Sequence, residues 1–134
     1  MKVLLSIKPE FVEQIIKGNK KFEYRKRIFK KQVESVVIYS TMPVGKIIGE
    51  FTIDKIINDS PDVIWDLTNR YSGISEIFFR DYFIDKIEGF AIEIKEFREY
   101  ETPIEPQDIF KGFVAPQSYR YIDDAELRIL TKIS

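Results

Sequence analysis

Residues Ile87 to Phe97, IEGFAIEIKEF, set Phe90, Ile92 and Ile94 on one side of an extended chain and Ala91, Glu93 and Lys95 on the other. A period of two marks a half-buried strand, which needs partners along its edges and a layer against its apolar face. The rest of the chain offers both. Val3 to Ile7 (VLLSI) reads as a short buried strand. Ser35 to Thr41 (SVVIYST) and Lys46 to Ile57 (KIIGEFTIDKII) read as an antiparallel, β-branched pair joined around Pro43 and Gly45. Gly49 interrupts the second run and marks a bulge, or the close approach of another backbone or a ligand. In KKFEYRK, Phe22 and Tyr24 alternate with Lys21, Glu23 and Arg25, which is a strand with one charged face.

Helices fall between these strands. Pro9 opens PEFVEQIIKG in its first turn, Phe11, Val12, Ile15 and Ile16 share one face, and Gly18 stands just past the end. Ser60 caps SPDVIWDLTNRY, with Pro61 at its first helical position, and Ser75 opens SEIFFRDYF with Ile74 and Phe79 spaced as a hydrophobic staple. Asp123 and Glu126 have capping-box spacing at the start of a last helix, with Ile122 and Leu127 as its staple. Before it, Pro103, Pro106 and Pro116 predict an irregular segment. Strands with inserted helices, rather than alternating β-α units, predict an α+β fold: a mixed β-barrel of about five to six strands with peripheral helices. A chain of 134 residues is long enough for one core and too short for two, so a single domain over 1–134 is expected.

Cysteine and histidine are both absent. That excludes disulfides, a cysteine nucleophile, a Cys/His zinc site and any triad with an imidazole base. Chemistry would fall to Lys, Glu, Asp, Tyr, Ser or Thr, and no metal or cofactor is expected. The N-terminal MKVLLSIKPEF lacks the apolar core of a signal peptide, and no run approaches membrane-spanning length, so a cytoplasmic protein without a membrane partner is expected. Charge is asymmetric. Residues 1–57 carry 12 Lys and Arg against 6 acids, and residues 58–134 carry 9 against 16. A basic surface aimed at an anionic partner is one reading, and scatter that the fold cancels is the other.

The basic half contains KGNKKFEYRKR, in which Gly18, Lys20, Glu23 and Arg25 spell G-x-K-x-x-E-x-R. This resembles the signature of the ASCH domains, relatives of the RNA-binding PUA domains. The resemblance extends to SIKPEFVEQIIKG, to GEF at Gly49–Phe51, to GIS at Gly73–Ser75 and to PQSY at Pro116–Tyr119, in order along most of the chain. It implies a PUA-like barrel with the motif residues on the floor of a cleft beside the first helix. Family members are associated with RNA, and some are enzymes, including ribonucleases and an amidohydrolase acting on acetylcytidine. That amidohydrolase uses the motif lysine, a threonine where the motif glutamate stands, and a glutamate before the later helix. Here Lys20 is kept, but Glu23 replaces the threonine and Arg70 to Gly73 hold no acid, so the resemblance does not carry the acetylcytidine reaction.

The expected ligand is RNA or a nucleotide, as a single strand or a flipped base. Lys8, Lys20, Arg25, Lys26 and Arg27 would contact phosphates, Gln117 and Ser118 a base edge, and Tyr24, Tyr119 and Tyr121 would stack. Glu23 belongs to the same wall. Several have a plainer reading: Tyr24 as core, Glu23 as an ion-pair partner of Lys20 or Arg25, and Lys26, Arg27, Lys30 and Lys31 as a solvated loop. The enzymatic alternative is a metal-independent ribonuclease or nucleoside hydrolase. In it Lys20 or Glu23 activates the attacking hydroxyl, Arg25 stabilises phosphate charge and Ser118 positions the phosphate. A protein-interaction module is a third class. These readings separate on whether Lys20, Glu23 and Ser118 meet in one cleft. Strict alternation would put Lys20 on the Phe22 side, so the site also requires Lys20 in the turn after Gly18.

Overall fold

The computed structural model describes residues 1–134. Its six strands are β1 (Lys2–Ile7), β2 (Phe22–Arg25), β3 (Ser35–Ser40), β4 (Lys46–Asp59), β5 (Gly89–Ile104) and β6 (Arg120–Tyr121). They form one sheet in the order β2-β5-β4-β3-β1-β6, curled into a half-barrel. Only β1 and β3 run parallel. The helix α1 (Pro9–Ile16) lies on the connection between them, followed in the chain by the edge strand β2. Three more helices, α2 (Pro61–Thr68), α3 (Glu76–Tyr82) and α4 (Asp124–Ile133), complete the α+β fold.

The continuous apolar runs of β1 and β3 arise because both strands are covered on both faces. Val3, Leu5, Ile7, Val36 and Ile38 pack with Val12 and Ile15 of α1. Their neighbours Leu4, Val37 and Tyr39 turn to the opposite face, against Ile47, Phe110 and Leu130 of α4. A third cluster joins Phe22 and Tyr24 of β2 to Ile64 of α2 and to Phe79 and Phe83 around α3. The caps are where the sequence places them: Ser60 accepts from the Val63 amide and Ser75 from the Phe78 amide, and the Asp123–Glu126 capping box is complete.

Three features differ from the sequence reading or resolve it. β5 continues through Pro103 to Ile104, because its pairing with β4 jumps from Gly49↔Glu99 to Ile47↔Ile104, and the intervening bulge needs no amide from the proline. Gly49 sits at that irregularity for a backbone reason: a Cβ there would lie 2.5 Å from the Arg98 carbonyl oxygen. The two-residue β6 lies within the segment read as irregular, held by pairing with Val3 and Leu4.

The sheet leaves β2 at one edge and β6 at the other, and Arg25 spans the gap. Its guanidinium donates to the backbone carbonyls of Ser6, at the end of β1, and Ser118, just before β6, at 3.3 and 2.7 Å.

Candidate functional site

Gly18 takes φ +81°, ending α1, and the amides of Asn19 and Lys20 both donate to the Gln14 carbonyl. This tight turn keeps Lys20 out of β2. Its side chain therefore escapes strand alternation and comes onto the Glu23 side, as the site reading requires. Lys20 is 2 % exposed, and its Nζ donates to the Ser72 carbonyl at 2.9 Å, with Glu23 Oε1 at 3.9 Å. The rings of Tyr24 and Phe11 lie 4.8 and 5.4 Å from the ammonium. Burial lowers the Lys20 pKa to about 8, against the opposing pull of Glu23.

The cover over Lys20 comes from residues 71–74. The Lys21 amide donates to the Tyr71 carbonyl, and Ser72 supplies the carbonyl for Nζ. Gly73, at φ +66°, lies so close that a Cβ would sit 2.3 Å from Lys20 Cβ. Only glycine fits both the left-handed backbone and the contact.

Glu23 is also buried. Its Oε2 accepts from Arg25 at 3.1 Å, while Oε1 has Lys20 only at ion-pair distance. Both carboxylate neighbours belong to a cleft of about 250 Å³ between α1, α3 and the end of β1. Its floor is Lys20, Glu23, Tyr24 and Arg25, and its apolar walls are Ile7, Phe11, Ile74 and Phe78, with Ser6, Lys8, Tyr82 and Gln117 at the mouth. A second cleft of about 190 Å³ adjoins it, lined by Arg25, Lys26, Arg27, Tyr82, Gln117 and Ser118. Arg25, Tyr82 and Gln117 line both, so the two are compartments of one depression.

The ASCH domain family model matches residues 5–76, more than half of the chain. The chain belongs to the ASCH domain family. A Zymomonas mobilis protein named ASCH domain-containing ribonuclease is 28% identical, over 98% of this chain and 90% of its own. The crystal structure of the Zymomonas mobilis ASCH protein superposes with a TM-score of 0.92 at 27% identity, covering 98% of this chain and 94% of that one. The N-terminal domain of Staphylothermus marinus McrB, at TM-score 0.59 and 15% identity, covers 99% of this chain and 94% of its own and shares the fold alone.

In this ASCH domain the residues singled out from sequence divide by place. Lys8, Lys20, Glu23 and Arg25 line the first cleft, and Lys26, Arg27 and Ser118 line the second. Gln117 lines both. Lys20, Glu23 and Ser118 thus occupy adjoining compartments rather than one. Lys8 and Lys26 are exposed, with their ammonium groups 5.0 Å from the Phe78 ring and 4.6 Å from the Tyr82 ring.

The tyrosines are tied into the structure. Tyr24 is core, bonding Thr68 at 2.7 Å, and burial raises its pKa to about 12, although one edge faces the cleft. Tyr119 packs on Phe29 and Tyr121, away from both cleft linings. Tyr121 accepts from the Lys30 and Lys31 amides, which fixes the basic loop in place. No carboxylate comes from the 70–73 turn; that segment gives Lys20 a carbonyl instead.

Sequence reasoning missed Phe11, Phe78 and Tyr82 as cleft residues because each reads as ordinary helix core. The spacing of Phe78 and Tyr82, one turn apart on α3, was the available signal. Tyr82 divides the compartments, and its hydroxyl accepts from the Lys26 amide at 3.2 Å. No helix is long and apolar enough to cross a membrane.

Proposed function

We propose that this ASCH domain binds single-stranded RNA, with one unstacked nucleotide seated over Lys20 and Glu23. The observation that carries the reading is the cleft itself: aromatic and aliphatic walls suited to a base, a charged floor, Lys8 at its mouth, and Lys26 and Arg27 in the adjoining compartment. The name of the Zymomonas relative supports RNA as the nucleic acid. Phosphate contacts fall to Lys8, Lys26 and Arg27, which are exposed. Arg25 contributes as a fixed donor, because three bonds to Ser6, Ser118 and Glu23 hold its guanidinium at the seam.

Cleavage is a second reading, favoured by the lowered pKa of Lys20. An amine with a pKa of about 8 is neutral in roughly a tenth of molecules at pH 7, enough to serve as a general base. In that reading Lys20 Nζ takes the proton of the ribose 2′-hydroxyl and the 2′-oxygen attacks the adjacent phosphorus. The 5′-oxygen leaves with a proton from water, giving a 2′,3′-cyclic phosphate.

The test is to incubate labelled single-stranded RNA with the wild type and with Lys20→Met in EDTA, scoring binding and cleavage in the same samples. Methionine keeps the buried volume without the charge, so loss of function is separable from misfolding. Wild-type binding that Lys20→Met loses supports the reading, whereas cleavage lost with binding retained moves Lys20 from binding to catalysis. Equal binding by both proteins with no change in cleavage sinks the cleft as the RNA site.

A further inference from the structure

The two compartments differ in chemistry although they share Arg25, Tyr82 and Gln117. The first has apolar walls from α1 and α3. The second is lined by no carboxylate and by a single aromatic ring; the rest are Arg25, Lys26, Arg27, Gln117 and Ser118. Resting on the RNA-binding reading above, we infer that the second compartment is a phosphate subsite. The first then receives the base of the same nucleotide, with Tyr82 as the partition against which the sugar lies.

Three observations place the phosphate there. Arg25 has five N–H donors, of which three are engaged with Ser6, Ser118 and Glu23. Its Nε makes no hydrogen bond within the protein and is not a buried, unpartnered atom, so the Nε–H stays accessible where Arg25 lines the compartments. The Ser118 carbonyl is occupied by Arg25, which fixes that residue's backbone beside the compartment. Lys26 is fixed in the same way, its amide bonded to the Tyr82 hydroxyl and its ammonium over the Tyr82 ring. The first compartment also has Lys8, Lys20 and Arg25, but it alone holds a carboxylate, Glu23, which disfavours a phosphate beside it and accepts from a base amino or imino group instead. A nucleotide laid across the partition satisfies both sides, whereas the reverse orientation sets phosphate against Glu23.

The minimal ligand is therefore a nucleoside monophosphate, and a paired base within a duplex is excluded because its edge and faces are covered. The experiment measures binding of the four ribonucleosides, their 5′- and 3′-monophosphates and a short single-stranded oligoribonucleotide at low salt. The proteins are wild type, the double variant Lys26→Ala/Arg27→Ala and Phe78→Leu. Lys26 and Arg27 are exposed, so their removal leaves the fold intact.

At least one monophosphate is expected to bind tenfold or more tighter than its nucleoside. The double variant should erase that advantage and leave nucleoside binding unchanged, while Phe78→Leu should weaken both alike. Monophosphates that bind no better than nucleosides, or a double variant that weakens nucleosides equally, would overturn the subsite assignment. If the oligoribonucleotide still binds the wild type in that case, the RNA reading stands without the subsites. If the wild type binds neither RNA nor any nucleotide, both fall.

Discussion

Two buried glutamates in this sheet, Glu23 on β2 and Glu50 on β4, each have one lysine and one arginine as neighbours, yet they end in different states. Glu50 is closed in: Lys2 reaches one oxygen at 2.6 Å, and Arg98 and the Tyr100 hydroxyl reach the other at 2.8 and 3.1 Å. Burial pushes its pKa up, but Lys2, Tyr100 and Arg98 together outweigh that and hold it below the usual carboxylate range. Glu23 is bonded closely only by Arg25, while Lys20 gives its short hydrogen bond to Ser72 and stays 3.9 Å away. One cluster spends every partner on itself and lines neither compartment of the depression; the other leaves charge facing one. A buried ion pair by itself says little about function. Incomplete pairing beside a cavity says more.

Breaking the closed cluster should give the largest change in stability. Glu50→Ala leaves the buried Tyr100 hydroxyl without its partner and takes the carboxylate from half-buried Lys2 and exposed Arg98; it is expected to cost about 3 kcal/mol, the lower end for a broken buried pair because both cations reach water. A thermal melt should fall by roughly ten degrees, with RNA binding unchanged at a temperature where the variant is folded.

At the open cluster the expectation inverts. Lys20→Met should lower RNA affinity about 100-fold, equivalent to about 2.7 kcal/mol, and leave the melting temperature within a few degrees of wild type. The small shift in melting arises because the burial cost of the ammonium is removed along with its bond to Ser72.

Gly73→Ala should sit between them. A Cβ against Lys20 and a non-glycine residue at φ +66° together cost about 2 kcal/mol. Residues 71–74 must then lift, and Lys20 becomes more hydrated. If the chain cleaves RNA with Lys20 as base, the ascending limb of its pH–rate profile should level off near 8 in the wild type and at higher pH in Gly73→Ala.

The two clusters should also separate at opposite ends of the pH scale. The folded-state pKa of Lys20 is lowered, so between about 8 and its ordinary 10.5 the unfolded chain binds more protons and stability rises with pH, by up to about 3 kcal/mol. The folded-state pKa of Glu50 is likewise lowered, so its contribution is present above the ordinary 4.5 and is lost as pH falls below it. Denaturant titrations across pH, each referred to Lys20→Met or Glu50→Gln, should isolate these two slopes.

Much of this fold was legible because its signals are local. Pro9, Ser60, Ser75 and the Asp123–Glu126 pair mark their own helices, and the alternation around Ile92 marks its own strand. The extension of β5 through Pro103 was not, since only the bulged register with β4 makes a proline tolerable there. Nor was β6, whose two residues exist as a strand only by pairing with β1.

The site divides in the same way. Gly18, Lys20, Glu23 and Arg25 announce themselves at short spacing. The burial of Lys20 depends on Ser72 and Gly73, some fifty residues later in the chain. The part of Arg25 as a seam between the sheet edges depends on Ser118, further still. Composition and periodicity do not carry contacts of that range.

The most direct test sets Lys20→Met beside Glu50→Gln and measures RNA affinity and melting temperature for both. The effects should cross: Lys20→Met loses RNA and keeps its melting temperature, while Glu50→Gln keeps RNA and melts lower. Two variants that lose affinity only in proportion to stability, or a Lys20→Met protein that binds RNA as the wild type does, would contradict it.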